Sequence, residues 1–163
     1  RLKKSPILIK LIISNNSKSK GLIFGKIFKI KKKVFNFKTR SIAEKRLLNF
    51  LKFHKINLIC LAGFMKILSK NFIKNFDGKI LNIHPSLLPK FKGLNTHERV
   101  LKNKEKYSGC TVHFVNSKLD SGKIILQKKI KIRKKDTPET LAKRILSAEH
   151  SLYPLAILKI FSP

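Results

Sequence analysis

Residues 58–89, which read LICLAGFMKILSKNFIKNFDGKILNIHPSLLP, decide the fold class of this chain. The run Leu58–Ala62 is continuously apolar, as expected of a central strand in a parallel sheet. A second central strand is predicted over Lys79–His84, and Pro85 stops it. Between the two strands, Ser69 is placed to cap a short helix. Strands and helices of these lengths in alternation predict an open α/β sheet.

Upstream of this stretch the sequence predicts two more strands and two helices. Ser41 is placed as the N-cap of the longer helix, and Glu44 three residues later completes a capping box. This helix carries one broad apolar face and ends near His54. A strand is predicted over Ile7–Ile13, a weak helix near Gly21–Phe28 and a short strand within Lys31–Lys38. The apolar face of the longer helix comprises Ile42, Leu47, Leu48, Leu51 and Phe53.

The last third of the chain has a different pattern. Two β-branched runs, Cys110–Val115 and Ile124–Ile132, predict a strand pair joined by a long loop. Thr137 then starts a helix with Pro138 at its first position, and Pro154 is expected to kink or interrupt that helix. The whole chain, residues 1–163, is therefore predicted to be a single domain. Its mostly parallel, Rossmann-like sheet has flanking helices and an antiparallel strand near the C-terminal part.

The charge is extreme, because 38 basic residues face only 8 acidic ones and the formal net charge is +30. Such a charge is typical of a polyanion-binding protein. However, 32 of the basic residues are Lys and only 6 are Arg, and they are spread along the whole chain. We therefore interpret the charge as a solvated surface that helps to attract anionic substrates, and we expect no dedicated nucleic-acid partner.

Other composition features favour an intracellular enzyme-like domain. No segment approaches about 20 uninterrupted apolar residues, so no membrane span is predicted. No secretory signal is recognisable. Cys60 and Cys110 each fall in an apolar run, and two cysteines are too few for a disulfide framework. We expect both to be buried free thiols in a reducing compartment.

The chemistry is concentrated where the second central strand ends. Asn82 and His84 stand two residues apart, so strand alternation directs both side chains to the same face. In open α/β sheets the ligand site lies at the carboxyl ends of the strands. An amide donor and an imidazole on one face can stabilise a carbonyl oxygen and move a proton. Taken alone, however, such a pair is more often structural than catalytic.

Five motifs carry a family resemblance that covers nearly the whole chain from Ile7 onward. They are LNIHPSLLPKFKGLNTHERVL at 81–101, LAGFMKILS at 61–69, GCTVHFV at 109–115, LDSGKIILQ at 119–127 and EHSLYPLAI at 149–157. Their order and spacing resemble those of the phosphoribosylglycinamide formyltransferases, which are folate-dependent formyltransferases. The segment His84–Pro89 followed by Thr96-His97 resembles these enzymes more than methionyl-tRNA formyltransferase or formyltetrahydrofolate deformylase.

The resemblance implies the formyltransferase fold and a reaction of purine biosynthesis. The formyl group of 10-formyltetrahydrofolate would be transferred to the amine of 5'-phosphoribosylglycinamide. It also implies small-molecule partners, a monomer or homodimer, and a cytoplasmic location. No Cys/His cluster in the sequence has metal-ligand spacing, so no metal is predicted. The implied residues are Asn82, His84 and Asp120 for catalysis; Arg40, Met65, Lys66, Ile67, Leu68 and again Asn82 for the folate; and Glu149 for the substrate.

The remaining histidines receive no catalytic role from the sequence. We interpret His54, His113 and His150 as structural, and the role of His97 stays open. Without the resemblance, Asp120 would be read as a turn residue ahead of Ser121-Gly122.

The sequence departs from the family pattern at its beginning and at its end. The family's first strand, its Gly/Ser/Asn loop for the substrate phosphate and the following helix are not recognisable here, and neither is the C-terminal tail. Two alternatives therefore stay open. One is a related folate-dependent formyltransferase or a formyltetrahydrofolate deformylase. The other is a catalytically inactive fragment that binds nucleic acid through its basic surface.

Overall fold

Strands and helices alternate along the chain, as the sequence predicts. The computed structural model describes residues 7–161. The elements are β1 (Leu11–Ser14), a 3-10 turn (Lys20–Leu22), α1 (Ile23–Ile27), β2 (Lys31–Val34), α2 (Arg40–Phe53), β3 (Leu58–Leu61), α3 (Lys70–Asn75), β4 (Lys79–His84), α4 (Thr96–Lys102), β5 (Tyr107–Phe114), β6 (Ile124–Lys131) and α5 (Pro138–Lys159).

The described residues divide into two compact units. The first runs to Asn57 and includes Lys74–Asp77, and the second comprises Leu58–Ile73 and the chain from Gly78 onward. Each unit contains its own sheet, of two and four strands respectively. The single domain over residues 1–163 stays a prediction, and its two ends lie outside the described residues.

In the first unit, β1 and β2 pair in parallel from Leu11 opposite Lys31 to Ser14 opposite Val34. The strand predicted over Ile7–Ile13 thus begins later, because only four residues find a partner on the short second strand. The 3-10 turn and α1 confirm the weak helix near Gly21–Phe28. Phe35 packs edge-on against Phe50 of α2, with ring centroids 5.5 Å apart.

The capping box predicted for α2 is wrong. Thr39 occupies the N-cap position without a side-chain cap, and Ser41 lies inside the helix. Glu44 is buried and accepts instead from Arg40 Nε at 3.2 Å, an i,i+4 pair. The buried stripe includes Ala43, Leu47 and Leu51, whereas Ile42 and Phe53 of the predicted apolar face are exposed.

The second unit holds a four-stranded sheet in the order β3-β4-β5-β6. β3 pairs in parallel with β4, whereas β4 pairs antiparallel with β5, and β5 antiparallel with β6. β5 and β6 confirm the strand pair predicted from the two β-branched runs, and both strands are antiparallel to their neighbours. β4 spans the residues predicted for it, and the Ser69 hydroxyl accepts from Phe72 N at 2.9 Å as the predicted cap of α3. Cys110 is buried as expected, but Cys60 is exposed.

Helix α5 covers the antiparallel strands and closes the core of the second unit. Thr137 is its N-cap, and Thr137 and Thr140 satisfy each other's backbone N–H groups. The helix continues through Pro154 to Lys159, so Pro154 does not interrupt it, and a kink at Pro154 stays a prediction. Leu152 and Ala156 on either side of Pro154 are buried in the core, and this packing outweighs the hydrogen bond lost at the proline. Between Ile7 and Phe161 no helix has both the length and the apolar content to cross a membrane.

Candidate active site

Three side chains predicted from the sequence lie near one another at the end of β4. His84 Nδ1 is 3.4 Å from Asp120 Oδ2, and both side chains are more than nine-tenths buried. Asn82 lies two residues before His84 on the same strand and contacts His113, which in turn lies near Asp120. The sheet thus brings an amide, an imidazole and a carboxylate from distant parts of the chain into one polar cluster.

The hydrogen bonds of His84 indicate the protonation of its ring. Nε2 lies 2.9 Å from the carbonyl oxygen of Phe91, which can only accept, so Nε2 carries a proton. Nδ1 faces a carboxylate oxygen that also accepts from Gly93 N–H at 2.9 Å. A bare Nδ1 lone pair would be repelled by this oxygen, whereas a protonated Nδ1 is attracted. The arrangement therefore favours an imidazolium at His84 opposite an ionised Asp120.

The loop around Asp120 has a demanding backbone geometry. Asp120 has φ +44°, a left-handed conformation that Asp tolerates better than most residues. Its carboxylate is held by Gly93, which has φ +78°, and the next residue, Ser121, accepts from Lys92 Nζ. These hydrogen bonds connect the turn at Lys92-Gly93 with the turn at Asp120-Ser121.

Gly122 is expected to be indispensable for this loop. A Cβ at residue 122 would overlap the carbonyl oxygen of Phe114 at the end of β5. Gly122→Ala should therefore lower the free energy of unfolding by about 1–3 kcal/mol, because backbone must shift to relieve the overlap. Urea unfolding measures this. Gly21→Ala is the control, since its added Cβ would meet only Ser19 Oγ at 3.8 Å. Equal stability of the two variants would contradict the prediction.

His113 belongs to the cluster, although the sequence analysis interpreted it as structural. Its Nδ1 donates to the carbonyl of Phe114 at 2.8 Å, and its Nε2 lies 3.5 Å from Asn82 Nδ2. Burial lowers the pKa of His113, although the Phe114 carbonyl and the Asp120 charge oppose this shift. A neutral ring with its proton on Nδ1 leaves Nε2 as an acceptor for Asn82. The Asn82 amide is thereby oriented, and its second N–H can reach an incoming oxygen.

The antiparallel pairing of β4 and β5 is the signal that places His113 in the polar cluster. His113 is the register partner of Asn82, and Thr111 is that of His84. The strand predicted over Cys110–Val115 pairs with β4, and the observed register brings His113 to the face of Asn82. Sequence alone does not give the pairing, because it depends on a contact across about 30 residues.

The sequence leaves the role of His97 open. In the structure, His97 lies close enough to His84 for an electrostatic interaction between the two rings. Burial lowers the pKa of His97, and the charge of His84 lowers it further. Its Nδ1 is buried without a hydrogen-bond partner in the described part of the chain. A neutral ring at the start of α4 is therefore adjacent to the cluster.

The residues predicted to line the folate follow β3 in an irregular segment. Met65 and Ile67 expose 71% and 63% of their surface, and Lys66 is exposed as well, whereas Leu68 is buried. Exposed apolar side chains at this strand end are available to cover a ligand. Arg40 belongs to the first unit, where it is half exposed and pairs with Glu44.

Glu149 lies on α5, where its charge acts on Cys110 of β5. Burial raises the pKa of Glu149 from 4.5 to about 6. Since its pKa is higher in the folded state than in the unfolded state, its protonated form is favoured by folding. The associated stability is fully present below pH 4.5 and is lost as the pH rises through about 6.

Glu149→Gln should remove this pH dependence. The stability of the wild type relative to the variant is expected to fall between pH 4.5 and about pH 6. Urea unfolding at several pH values measures the difference, and groups that both proteins share, such as Asp136, cancel out. A constant difference across this window would contradict the assigned pKa.

No group of three or more His, Cys, Asp or Glu side chains in residues 7–161 is arranged to hold a metal ion. A buried amide donor and an imidazolium–carboxylate pair can stabilise negative charge on a carbonyl oxygen and relay a proton.

Comparison with known proteins places this chain in a family. Residues 1–157 match the family described as formyl transferase. The phosphoribosylglycinamide formyltransferase of Haemophilus influenzae is 42% identical over 155 residues, which cover 93% of this chain and 73% of that protein. The crystal structure of phosphoribosylglycinamide formyltransferase from Anaplasma phagocytophilum has a TM-score of 0.87 at 42% identity, covering 93% of this chain and 73% of that one.

Other relatives are much longer. The trifunctional purine biosynthetic protein adenosine-3 of Bos taurus is 42% identical over 157 residues, which cover 94% of this chain. The chain spans only 16% of the length of that protein. The family match over residues 1–157, the likeness to the Haemophilus enzyme and the shared fold agree: this chain belongs to the formyl transferase family, together with the phosphoribosylglycinamide formyltransferases.

Proposed function

We propose that this chain transfers the formyl group of 10-formyltetrahydrofolate to the amine of 5'-phosphoribosylglycinamide. The observation that carries the proposal is the buried His84–Asp120 pair, with the Asn82 amide two residues away on the same strand face. The names of the relatives, phosphoribosylglycinamide formyltransferases among them, support the choice of substrates.

In the proposed reaction, the substrate amine attacks the formyl carbon, and negative charge develops on the formyl oxygen. The free N–H of Asn82 and the imidazolium of His84 stabilise this oxyanion. One such donor typically contributes about 3–4 kcal/mol in the transition state. The amine proton moves to N10 of the folate, the bond between the formyl carbon and N10 breaks, and tetrahydrofolate leaves. Asp120 keeps His84 charged and helps to organise a water molecule for the proton transfer.

The ligand-binding residues form a second part of the proposal. Met65–Leu68 would enclose the pterin with side chains and backbone groups, and the loop 116–120 would form the opposite wall. Arg40 would pair with a folate carboxylate, for which a guanidinium has a suitable bidentate geometry. Glu149 would accept hydrogen bonds from the phosphorylated substrate. A cytoplasmic location and a monomeric or homodimeric state stay predictions.

The experiment is an assay of this chain with 10-formyltetrahydrofolate, with and without 5'-phosphoribosylglycinamide. We expect formylated product and tetrahydrofolate in equal amounts, and only when the amine substrate is present. Formate release without the amine would indicate a deformylase instead. A folded chain that neither binds the folate nor produces either product would contradict the proposal.

A further inference from the structure

His84, Thr111 and Gln127 form one row across the three strands β4, β5 and β6. Thr111 is the register partner of His84 on one side and of Gln127 on the other. Directly opposite residues in antiparallel strands direct their side chains to the same face. The row therefore leads from the cluster at His84 to the edge strand of the sheet.

Thr111 and Gln127 hold the backbone of the segment that follows His84. The Thr111 hydroxyl, which is fully buried, donates to Ser86 O at 2.6 Å and accepts from Leu88 N at 3.1 Å. Gln127 Nε2 donates to Leu88 O at 2.8 Å. It also donates to Thr111 Oγ1 at 2.9 Å, so the hydroxyl uses its donor and both acceptor positions.

This segment, residues 85–91, needs such support because it lies outside the helices and strands. Its far end supplies the Phe91 carbonyl that accepts from His84 Nε2. The Ser86 hydroxyl braces the turn internally by donating to Lys90 O at 2.7 Å. Leu87 packs closely on Gly109 of β5, where a Cβ would lie 2.7 Å from Leu87 Cδ2. The position of the Phe91 carbonyl thus depends on how the segment is seated on β5 and β6.

We propose that Gln127, acting through Thr111, is a positioning residue that keeps the Phe91 carbonyl in place and so holds the His84 ring toward Asp120. The kinetic part of this inference rests on the proposed function. Neither Gln127 nor Thr111 has to touch a substrate. Their effect is on the orientation of the imidazole, and a displacement of about 1 Å at a reacting group can lower a rate by about a hundredfold.

The kinetic test compares Gln127→Leu, Thr111→Val and the conservative Thr111→Ser with a matched control, Thr140→Val. Thr140 makes hydroxyl hydrogen bonds of the same kind at the start of α5. We expect kcat to fall about 10- to 100-fold in Thr111→Val and about tenfold in Gln127→Leu, with KM changed less than about threefold. Thr111→Ser should restore most of kcat, and Thr140→Val should lower stability without lowering kcat.

A second readout does not depend on activity. The ¹⁵N chemical shifts of the His84 ring report whether Nε2 is protonated and hydrogen-bonded. These shifts should change in Thr111→Val and Gln127→Leu and stay unchanged in Thr140→Val. If the wild type transfers no formyl group, the proposed function fails while this measurement still tests the positioning role. The positioning role is overturned if the His84 shifts of both variants equal those of the wild type, whatever their thermal stability.

Discussion

Replacing His84 by alanine should lower kcat for formyl transfer by about two to four orders of magnitude, the range typical of a lost general acid–base group. The change removes the imidazole whose Nδ1 lies 3.4 Å from Asp120 Oδ2 and whose Nε2 donates to the Phe91 carbonyl. Both the stabilisation of the oxyanion and the proton relay should fail together. Because the lost interactions form mainly in the transition state, KM should change much less than kcat.

The measurement is steady-state kinetics with both substrates varied, together with urea unfolding to exclude a folding defect. His150→Ala is a matched control, because His150 is an exposed histidine on α5. We expect the control to keep wild-type kcat. A His84→Ala protein that folds normally and retains more than about a tenth of wild-type kcat would be incompatible with the general acid–base contribution assumed here.

Asp120→Asn should cost about two orders of magnitude or more in kcat, of the size found when one preorganised electrostatic group is removed. The substitution keeps the shape of the side chain, and its amide oxygen can still accept from Gly93 N–H, which bonds Asp120 Oδ2 in the native protein. What it removes is the negative charge opposite His84 Nδ1. An imidazolium buried without a counter-charge is unfavourable, so the charged form of His84 would be lost from the cluster.

The matched control is Asp136→Asn. Asp136 pairs with Arg144 and accepts from Thr140, so its role is to support the start of α5. We expect this control to lower stability and to leave kcat near the wild-type value, whereas Asp120→Asn should lower kcat. Wild-type kcat in Asp120→Asn would show that the carboxylate charge has no part in the reaction.

The two expectations address different aspects of the cluster. His84→Ala asks whether an imidazole is needed, and Asp120→Asn asks whether it has to be charged. A large loss in the first variant with no loss in the second would indicate a neutral His84, which contradicts the protonation inferred from the Phe91 and Gly93 hydrogen bonds.

Much of the fold could be predicted because the decisive patterns are local. Three features depend only on residues within one turn or one strand: the apolar run ahead of Gly63, the end of β4 before Pro85 and the start of α5 after Thr137. The errors occurred where local preference competes with packing. Glu44 pairs with Arg40 instead of capping α2. Helix α5 continues through Pro154 because buried residues on both sides of the proline hold the helix in the core.

In the candidate site too, some residues could be predicted from the sequence and others could not. Asn82 and His84 could be paired from alternation along one strand, and family resemblance extended the set to Asp120. The resemblance did not indicate His113, the Phe91 carbonyl, Gly93 or the supporting pair Thr111 and Gln127. These groups reach the cluster through backbone atoms or through strand pairing. Residue types alone reveal neither backbone contacts nor strand pairing.

Local sequence was thus sufficient for most of the elements, although not for α4, and for the pairing of Asn82 with His84, because each depends on short-range order along the chain. Only the tertiary structure decided which histidine orients the Asn82 amide, which groups face the two ring nitrogens of His84, and what holds the segment that follows His84. Those outcomes depend on contacts between residues that are 7 to 39 positions apart in sequence, and antiparallel register and burial bring these residues together.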